Sequence, residues 1–320
     1  MKYKIIKLKF KTAIHLGEND IYSSYSYINC DTIFSALCIE KLKVYGNSSL
    51  NNFVNVCKTG KIKISNALPY IGDILYFPKP YAYIENNSDE KDKQENKLDK
   101  KIMKKIEYIP INKFEDYISG KLEKDNLYQI LLDFEKIGNY EIRTLVSNRN
   151  KENSTGPFNY ILYRFNDNTG LYCVIAYEDE NEFKDFVKMF TLLGMDGIGG
   201  KISAGFGKFD IDIEDISKYS ILLRLLDVNS SNIVMTIATC LPKEDELKIS
   251  MEYASYKLIK RGGYVSSTDY FNKPIKKHTL YAFVQGACFK NKFLGDIYNV
   301  NDVGRHPVYR YLIPFYVKIN

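Results

Sequence analysis

The stretch that decides the fold of this chain runs from Gly194 to Gly207 and reads GMDGIGGKISAGFG. It holds six of the chain's 19 glycines within fourteen residues. Glycine loses more conformational entropy on folding than any other residue, so such density occurs where φ must be positive or where backbone amides approach another group closely. Phosphate is the usual group in such loops. The stretch is therefore predicted to be a ligand-binding loop.

Two common phosphate-binding motifs do not fit this loop. A Walker A motif needs Gly where Met195 stands, and it needs Ser or Thr after Lys201, where this chain has Ile202. The dinucleotide pattern GxGxxG also fails, because its third glycine would stand at Ile202. Both motifs are therefore excluded. The remaining alternative to a binding loop is an ordinary glycine-rich connection between a helix and a strand.

The residues around the loop predict a helix before it and a strand after it. One apolar helical face, predicted to end at Gly194, is formed by Phe183, Phe186, Val187, Phe190 and Leu193. Downstream, residues 209–214 alternate between apolar and acidic side chains, which is typical of a half-buried strand and predicts one at 208–214. Since the nucleotide motifs run from strand to helix, this order also argues against them.

The elements predicted along the chain indicate an α+β protein. A strand at residues 6–10 precedes a helix with Asp31 as its predicted N-cap, a strand at 61–65, and a hairpin of 160–164 with 171–177. Together with the helix and strand around the glycine loop, these give the β-α-β-β-α-β order of a ferredoxin-like (RRM-like) domain. The predicted domain spans residues 1–215, with its glycine-rich loop at 194–207 and a long insertion at about 84–158, and the highly charged segment 88–105 of that insertion is predicted to be solvated or disordered.

A second domain is predicted for residues 216–320. Strands are predicted at 221–226, 233–238, 281–287 and 315–319, and residues 244–251 are predicted to form a helical turn or a strand edge. A second ferredoxin-like domain in tandem with the first is the hypothesis that best fits this pattern.

Composition predicts a cytoplasmic protein without a metal or cofactor. The six cysteines lack CxxC spacing and there are only three histidines, so neither a zinc site nor a disulfide framework is expected. No apolar run reaches the length of a membrane span.

Basic charge is concentrated at the C-terminal end. Residues 256–320 hold eleven Lys or Arg and three Asp, a net charge of +8, whereas residues 1–255 hold 34 basic and 36 acidic groups. The same segment has eight Tyr and five Phe, and basic groups among aromatic rings suit a polyanion whose bases can stack. The alternative is a solvated basic face with the aromatic rings in the core.

These residues resemble the RAMP superfamily, proteins of CRISPR effector complexes whose signature is a glycine-rich loop before the last strand of a ferredoxin-like domain. The stretch GIGGKISAGFGKF from Gly197 to Phe209 is similar to that loop. Three further parts narrow the resemblance to the fourth subunit of type III-A (Csm) complexes: FKTAIHLGE with CDTIFSALC near the start, RGGYVSS at 261–267, and GRHPVYRY at 304–311.

The resemblance implies a non-catalytic RNA-binding role in antiviral defence. Subunits of this family hold the five-prime handle of the CRISPR RNA, contact the large polymerase/cyclase subunit and start the filament of backbone RAMP subunits. The segment from Arg143 to Phe165 resembles the part that other RAMP subunits use to grip guide RNA. The candidate RNA contacts combine cations, open backbone and stacking rings: Arg143, Asn148, Arg149, Gly197, Gly199, Gly200, Lys201, Ser203, Gly205, Phe206, Gly207, Arg261, Gly262, Gly263, Tyr264, His306 and Arg310.

Two alternative functions stay open at this point. The first is a metal-independent CRISPR RNA-processing endoribonuclease, in which His15 would act as general acid or base. Its weakness is that such RAMP enzymes carry the loop close to the chain end, and that His15 between Ile14 and Leu16 has the setting of a packed histidine. The second is an α+β enzyme of another kind, for which the sequence offers no motif.

Overall fold

The computed structural model describes residues 1–17, 26–82, 103–145, 157–265 and 275–319. The helices are α1 Cys30–Lys58, α2 Ile111–Ile118, α3 Lys124–Glu135, α4 Glu180–Asp196, α5 Ser220–Leu225 and α6 Glu244–Ser250. The strands are β1 Lys2–Phe10, β2 Ile62–Ile64, β3 Leu68–Ile71, β4 Ile74–Pro78, β5 Tyr108–Pro110, β6 Gly138–Leu145, β7 Phe158–Phe165, β8 Thr169–Tyr177, β9 Phe209–Asp215, β10 Val234–Thr236, β11 Leu258–Arg261, β12 Leu280–Phe283, β13 Cys288–Phe289, β14 Asp296–Asn299, β15 Tyr309–Leu312 and β16 Tyr316–Lys318.

The main sheet is antiparallel and has seven strands. Its order is β5-β4-β3-β8-β1-β9, and β2 pairs with β8 beside β3. In β1, Ile6 faces Cys173 of β8 and Ile213 of β9, so this strand lies inside the sheet. The strands predicted at 6–10, 61–65 and 208–214 are confirmed, as is the mixed α/β class.

Helices α1 and α4 pack on this sheet and on each other. Asp179 caps helix α4, because its side chain accepts hydrogen bonds from the amides of Asn181 and Glu182 at 2.8 and 2.9 Å. Its apolar face is buried, and Phe186 lies 6.3 Å from Phe53 of α1, measured between ring centroids. The predicted end of this helix at Gly194 is wrong, because α4 continues to Asp196. Gly194 lies where a side chain would overlap the Phe209 backbone oxygen of β9, so the site needs glycine inside the helix.

The predicted pairing of residues 160–164 with 171–177 is wrong, although both strands exist. Strand β8 has β1 on one edge and β2 and β3 on the other, so no edge is left for β7. Strand β7 pairs instead with β6 over its whole length, for example Ile161 with Ile142. The result is a separate two-stranded hairpin, which we call the β6–β7 hairpin; residues 146–156 at its tip lie outside the described residues.

The prediction of a strand at 221–226 is also wrong, because residues 220–225 form helix α5. Leu222 and Leu225 are buried at helical spacing, whereas Leu223 is exposed. Arg224 donates to Glu115 of α2 at 2.8 Å, so this helix packs beside α2. A short apolar run does not distinguish a strand from a helix by periodicity alone.

The C-terminal part contains three small sheets among its described residues. One sheet has the strand order β13-β10-β16, and the other two are the strand pairs β11-β12 and β14-β15. The strands predicted at 233–238, 281–287 and 315–319 exist but are shorter, and residues 244–250 form the predicted helical turn. The two ferredoxin-like domains, and the domain boundary at residue 215, stay predictions.

Within the described ranges, no helix is both long enough and apolar enough to cross a membrane. The six cysteines are buried free thiols. Over the same ranges, no group of three His, Cys, Asp or Glu side chains could hold a metal ion.

Candidate nucleic-acid interface

The glycine-rich loop lies against the segment that follows β1. The Gly207 amide donates to the Ala13 carbonyl at 2.9 Å, and the Gly200 amide donates to the His15 carbonyl at 2.8 Å. Further along, the Lys208 amide donates to the Thr12 hydroxyl at 3.0 Å. Hydrogen bonds thus join the middle and the C-terminal end of the loop to residues 12–15.

The loop amides are predicted to bind phosphate, but several of them already donate hydrogen bonds within the protein. Four glycine amides donate to carbonyls of the protein itself: Gly197 to Leu193, Gly200 to His15, Gly205 to Ile202 and Gly207 to Ala13. Buried backbone donors are satisfied in this way in most folded proteins. These amides stabilise the loop, and the side chains that it presents become the stronger candidates for contact with a ligand.

Close backbone approach explains why the loop needs glycine. A Cβ at Gly207, where φ is 76°, would overlap the Ile198 carbonyl oxygen. A Cβ at Gly199, where φ is 98°, would lie 2.5 Å from the His15 carbonyl oxygen. At Gly205, by contrast, nothing lies within 4 Å of that position. The glycine density thus mainly serves packing against the protein's own backbone.

Lys201 is half-buried and directly precedes the exposed residues 202–204 of the loop. Its backbone is left-handed, with φ of 62°, which is uncommon for a residue with a side chain. A single 3₁₀ turn, Ile202–Ala204, follows and presents Ser203 to solvent. The Lys201 ammonium lies 5.5 Å from the centroid of the Tyr160 ring, within the range of a cation–π contact. The loop conformation therefore directs this cation toward the β6–β7 hairpin.

A small apolar cluster joins the loop to that hairpin. Phe206 packs with Tyr160 at a centroid distance of 6.3 Å, and the cluster also contains Ala13 and Leu162. Phe206 is half-buried in this arrangement, so its predicted role as an RNA contact is combined with a structural one.

Arg143 lies on the same face of the hairpin as Tyr160. The two residues are directly opposite in the antiparallel register, which places their side chains on one face. Arg143 donates to Glu141 at 3.2 Å, and Arg164 forms an ion pair with the same carboxylate. The hydrogen bond from Arg164 holds the pKa of the Glu141 carboxyl below its usual range. Two guanidinium groups thus share one carboxylate, and the site keeps a net positive charge.

We call the surface formed by Arg143, Lys201 and Ser203 around Tyr160 the loop–hairpin surface. The predicted contacts Asn148 and Arg149 belong to the same hairpin in sequence, but they lie outside the described residues. Tyr160 and Glu141 were missed by sequence reasoning. Only the pairing of β6 with β7 reveals them, because it brings them beside the loop.

Arg261 and Arg310 occupy a different and buried place. Arg261 donates to both oxygens of Asp31, at 3.0 and 2.8 Å, and Arg310 donates to the same carboxylate at 2.7 Å. All three side chains are buried. Burial acts to raise the pKa of Asp31, but the two guanidinium groups outweigh it and hold that pKa below the usual value. These two arginines therefore face Asp31, and we leave them out of the surface offered to RNA.

The prediction that Asp31 caps α1 is wrong. The helix begins after Asn29, whose carbonyl accepts from the Thr32 amide at 3.0 Å but whose side chain makes no capping hydrogen bond. The amide of Cys30, the first helical residue, donates to the Asn66 side chain at 2.8 Å. Asp31 instead lies in the first turn with its carboxylate turned to the arginines. A local capping signal could not reveal partners more than two hundred residues away.

The other C-terminal candidates are distributed around this cluster. The Gly262 carbonyl accepts from Arg310 at 3.0 Å, and the Gly263 carbonyl accepts from the Lys277 amide at 2.8 Å. Tyr264 is exposed, whereas His306 is half-buried beside the carbonyl of Pro307. Five of the aromatic rings predicted to stack with bases are core residues instead, namely Phe283, Phe289, Phe293, Tyr311 and Phe315.

His15 is buried and held in place. Its Nδ1 donates to the Ile161 carbonyl at 2.7 Å, and its backbone pairs with Gly200. A Cβ at Gly200 would lie 2.6 Å from the His15 ring, so the ring packs directly on this glycine. The arrangement favours the packed histidine over the general base.

Comparison with known families covers most of the chain. Residues 7–210 match the RAMP superfamily, and residues 229–319 match the CRISPR Csm4 C-terminal domain. A Streptococcus thermophilus protein named CRISPR system Cms protein Csm4 is 31% identical over 323 residues, covering 100% of this chain and 99% of that protein. A protein of the same name from Mycobacterium tuberculosis (strain CDC 1551 / Oshkosh) is 29% identical over 305 residues, covering 95% of this chain and 94% of the other.

Two solved structures share the fold over the whole chain. One is a chain of the Csm3-Csm4 subcomplex in the type III-A CRISPR-Cas interference complex, with a TM-score of 0.68, 22% identity and 100% of both chains covered. The other is a chain of a Csm1-Csm4 cassette in complex with pppApA, with a TM-score of 0.65, 18% identity, and 100% of this chain and 98% of that one covered.

Proposed function

This chain belongs to the RAMP superfamily and to its Csm4 family, and from that premise we propose that it is a non-catalytic RNA-binding subunit of a type III-A CRISPR interference complex. In this proposal it holds the five-prime handle of the CRISPR RNA and takes part in antiviral defence in the cytoplasm. The observation that carries the proposal is the loop–hairpin surface, where Lys201 and Arg143 meet around Tyr160.

The charges of that surface suit a phosphate backbone. Arg143 and Arg164 share the single carboxylate of Glu141, so the net charge favours an anion. A guanidinium can bind phosphate through two parallel hydrogen bonds, and each neutralised phosphate releases counterions. Binding of RNA is therefore expected to weaken steeply as salt is added.

The loop supplies a rigid platform for these side chains. Hydrogen bonds from Gly200 and Gly207 to residues 13–15 hold the loop, and the Phe206–Tyr160 contact joins it to the hairpin. A preorganised surface loses less conformational entropy when RNA binds. In this proposal the glycines shape the platform, and the side chains of Lys201, Ser203 and Arg143 make the contacts.

Two protein partners are part of the proposal. The named structures with this fold hold Csm4 with Csm3 and with Csm1. We propose by similarity that this chain joins a backbone RAMP subunit to the large polymerase/cyclase subunit. Co-purification of the tagged chain with each subunit alone tests this; failure to retain either would contradict it.

The proposed role is binding without catalysis. His15, the candidate for metal-independent RNA cleavage, is engaged through Nδ1 with the Ile161 carbonyl and packs on Gly200. These contacts support a structural role for the ring, and they favour the binding subunit over the endoribonuclease.

The handle assignment is tested with two RNAs of equal length. One carries the five-prime handle and the other carries the same nucleotides in scrambled order. The account predicts tighter binding of the handle-bearing RNA, alone or inside the assembled complex. Equal affinity in both settings would show that the handle assignment is wrong.

The binding surface is tested with Lys201→Gln, for which Lys184→Gln is a matched control. Lys184 is exposed on α4, so its replacement removes one charge outside the loop–hairpin surface. We expect Lys201→Gln to weaken RNA binding several-fold more than Lys184→Gln, because only the former removes a proposed phosphate contact. Equal losses would point to unspecific attraction by net charge.

A further inference from the structure

The strands β11 and β12 form a second hairpin, which we call the C-terminal hairpin. Lys260 is directly opposite Tyr281 in its register, and Arg261 is opposite Leu280. Beyond the strands, Tyr264 and Lys276 form a further bridge, and the Val265 amide donates to the Ile275 carbonyl at 3.0 Å. The hairpin therefore extends from residue 258 to at least residue 265.

One face of this hairpin is anchored in the protein. Arg261 is buried and bound to Asp31 through two hydrogen bonds, and Ala282 is buried on the same face. Because side chains alternate across a strand, this anchoring turns Lys260 and Tyr281 to the opposite face. The outer face is thus presented in a fixed orientation by a buried ion pair beneath it.

The hairpin carries exposed rings and cations. The Tyr281 side chain is 59% exposed and that of Tyr264 is 56% exposed. Lys276 lies 5.8 Å from the centroid of the Tyr264 ring. Lys260 is exposed across from Tyr281. The hairpin therefore presents two cross-strand lysine–tyrosine pairs, separated by residues 261–263 on one strand and 277–280 on the other.

The described strands of the hairpin carry charge of one sign. Residues 256–265 and 275–283 contain no Asp or Glu but include Lys257, Lys260 and Lys276, all of which are exposed. Arg261 shares the buried Asp31 carboxylate with Arg310, so the exposed charge of the hairpin is that of its outer lysines. A surface with cations and open aromatic rings but without carboxylates complements an unpaired, stacked polyanion.

We propose that the C-terminal hairpin binds single-stranded RNA, with bases stacked on Tyr281 and Tyr264 and phosphates beside Lys260 and Lys276. The inference rests on the proposed RNA-binding function, but it names a contact separate from the loop–hairpin surface. Stacking on tyrosine is tolerant of sequence because every base has a π-face. The site therefore selects an unpaired strand over a duplex.

The test measures fluorescence anisotropy of a labelled 12-nucleotide oligouridine with the full chain. Tyr281→Ala and Tyr264→Ala are expected to weaken binding by about 5- to 100-fold, because each loses one stacked base. Tyr281→Phe keeps the ring and is expected to bind within about twofold of the wild type. Both tyrosines are exposed, so the fold is expected to survive these changes.

Tyr253→Ala is the matched control. Tyr253 is 82% exposed and has Lys290 at 4.8 Å from its ring centroid, so it resembles the proposed pairs. It lies outside the hairpin and next to Glu252. Its replacement is expected to leave the affinity unchanged. A loss as large as that of Tyr281→Ala would overturn the proposal, because any exposed lysine–tyrosine pair would then suffice.

Salt dependence separates stacking from charge. Lys260→Gln is expected to reduce the slope of log affinity against log salt by about 0.7, the value for one phosphate contact on a single strand. Tyr281→Ala is expected to lower the affinity without changing that slope. A changed slope in Tyr281→Ala would contradict the stacking role.

The Lys201→Gln variant, measured in parallel, distinguishes the two proposals. If it weakens binding while Tyr281→Ala and Tyr264→Ala bind like the wild type, the hairpin proposal is wrong and the proposed function stands. If only the tyrosine variants weaken binding, the hairpin proposal stands and the loop–hairpin surface is wrong. If the wild type binds no RNA, both the hairpin proposal and the proposed function are wrong. If the tyrosine variants lose a protein partner but keep RNA affinity, the face is a protein interface and the proposal is overturned.

Discussion

The carboxylate of Asp31 accepts two hydrogen bonds from the guanidinium of Arg261, at 3.0 and 2.8 Å, and both side chains are buried. Arg310 adds a third hydrogen bond at 2.7 Å. The pair joins the first turn of α1 to the C-terminal hairpin, so residues far apart in the chain are held together. It also explains why two of the basic residues in the C-terminal segment are not offered to solvent.

Replacement of Asp31 by Asn is expected to destabilise the fold. Removing one partner of a buried ion pair leaves the other charge uncompensated, which costs about 3–5 kcal/mol. Urea titration of the full chain measures the change. Asp212→Asn is the control, since its pair with Lys9 at 2.9 Å is exposed and is expected to contribute less than about 1 kcal/mol. Similar losses in both variants would contradict the role given to Asp31.

The same carboxylate predicts a dependence of stability on pH. Burial opposes ionisation of Asp31, but Arg261 and Arg310 hold its pKa below the usual value in the folded state. The ionised group therefore stabilises the fold above about pH 4, the ordinary pKa of an unfolded Asp, and this contribution is lost as the pH falls through the lower folded pKa. The difference in unfolding free energy between wild type and Asp31→Asn is expected to shrink below pH 4. A constant difference would show that the charge is not involved.

Replacement by alanine is expected to destabilise the fold by different amounts at two glycines of the glycine-rich loop. Gly205 and Gly207 both have positive φ, 85° and 76°, so alanine at either costs about 1–2 kcal/mol of backbone strain. At Gly207 the new Cβ would also meet the Ile198 carbonyl, whereas nothing lies within 4 Å at Gly205. Overpacking adds about 1–3 kcal/mol to the cost of Gly207→Ala. Thermal unfolding of both variants measures the difference, and equal stabilities would show that close packing is not the reason for glycine.

His15→Ala is expected to lower the stability of the fold, and neither this variant nor the wild type is expected to cleave RNA. The change removes the hydrogen bond to the Ile161 carbonyl, at a cost of about 1–3 kcal/mol. Metal-free incubation of the wild type with repeat RNA, followed on a denaturing gel, is expected to show intact RNA. Cleavage by the wild type that His15→Ala abolishes would establish the endoribonuclease instead.

Local patterns predicted the elements whose signals are strong within one segment. Helix α4 has five apolar residues on one face, so periodicity alone identified it. Strands β1 and β9 alternate between apolar and charged residues, and their predicted ranges needed little change. For α5 the apolar run from Ile221 to Leu226 carried no such periodicity, and its helical form depends on packing beside α2.

Long-range pairing could not be predicted in the same way. Strand β7 pairs with β6 because both edges of β8 are already occupied, and β6 lies in a segment with few apolar residues. Asp31 looked like a cap because its partners Arg261 and Arg310 are far away in sequence. The position of the candidate loop was correctly predicted from glycine density, but the close approach of residues 13–15 that requires those glycines was visible only in the structure.

The salt dependence of RNA binding tests the loop–hairpin surface most directly. The measurement compares the wild type with the double variant Arg143→Gln, Lys201→Gln on handle-bearing RNA, at several salt concentrations. If both side chains contact phosphate, the double variant binds more weakly, and its slope of log affinity against log salt is smaller in magnitude by about 1.4, or about 0.7 for each contact. Affinity and slope equal to those of the wild type would contradict the claim that this surface holds the RNA.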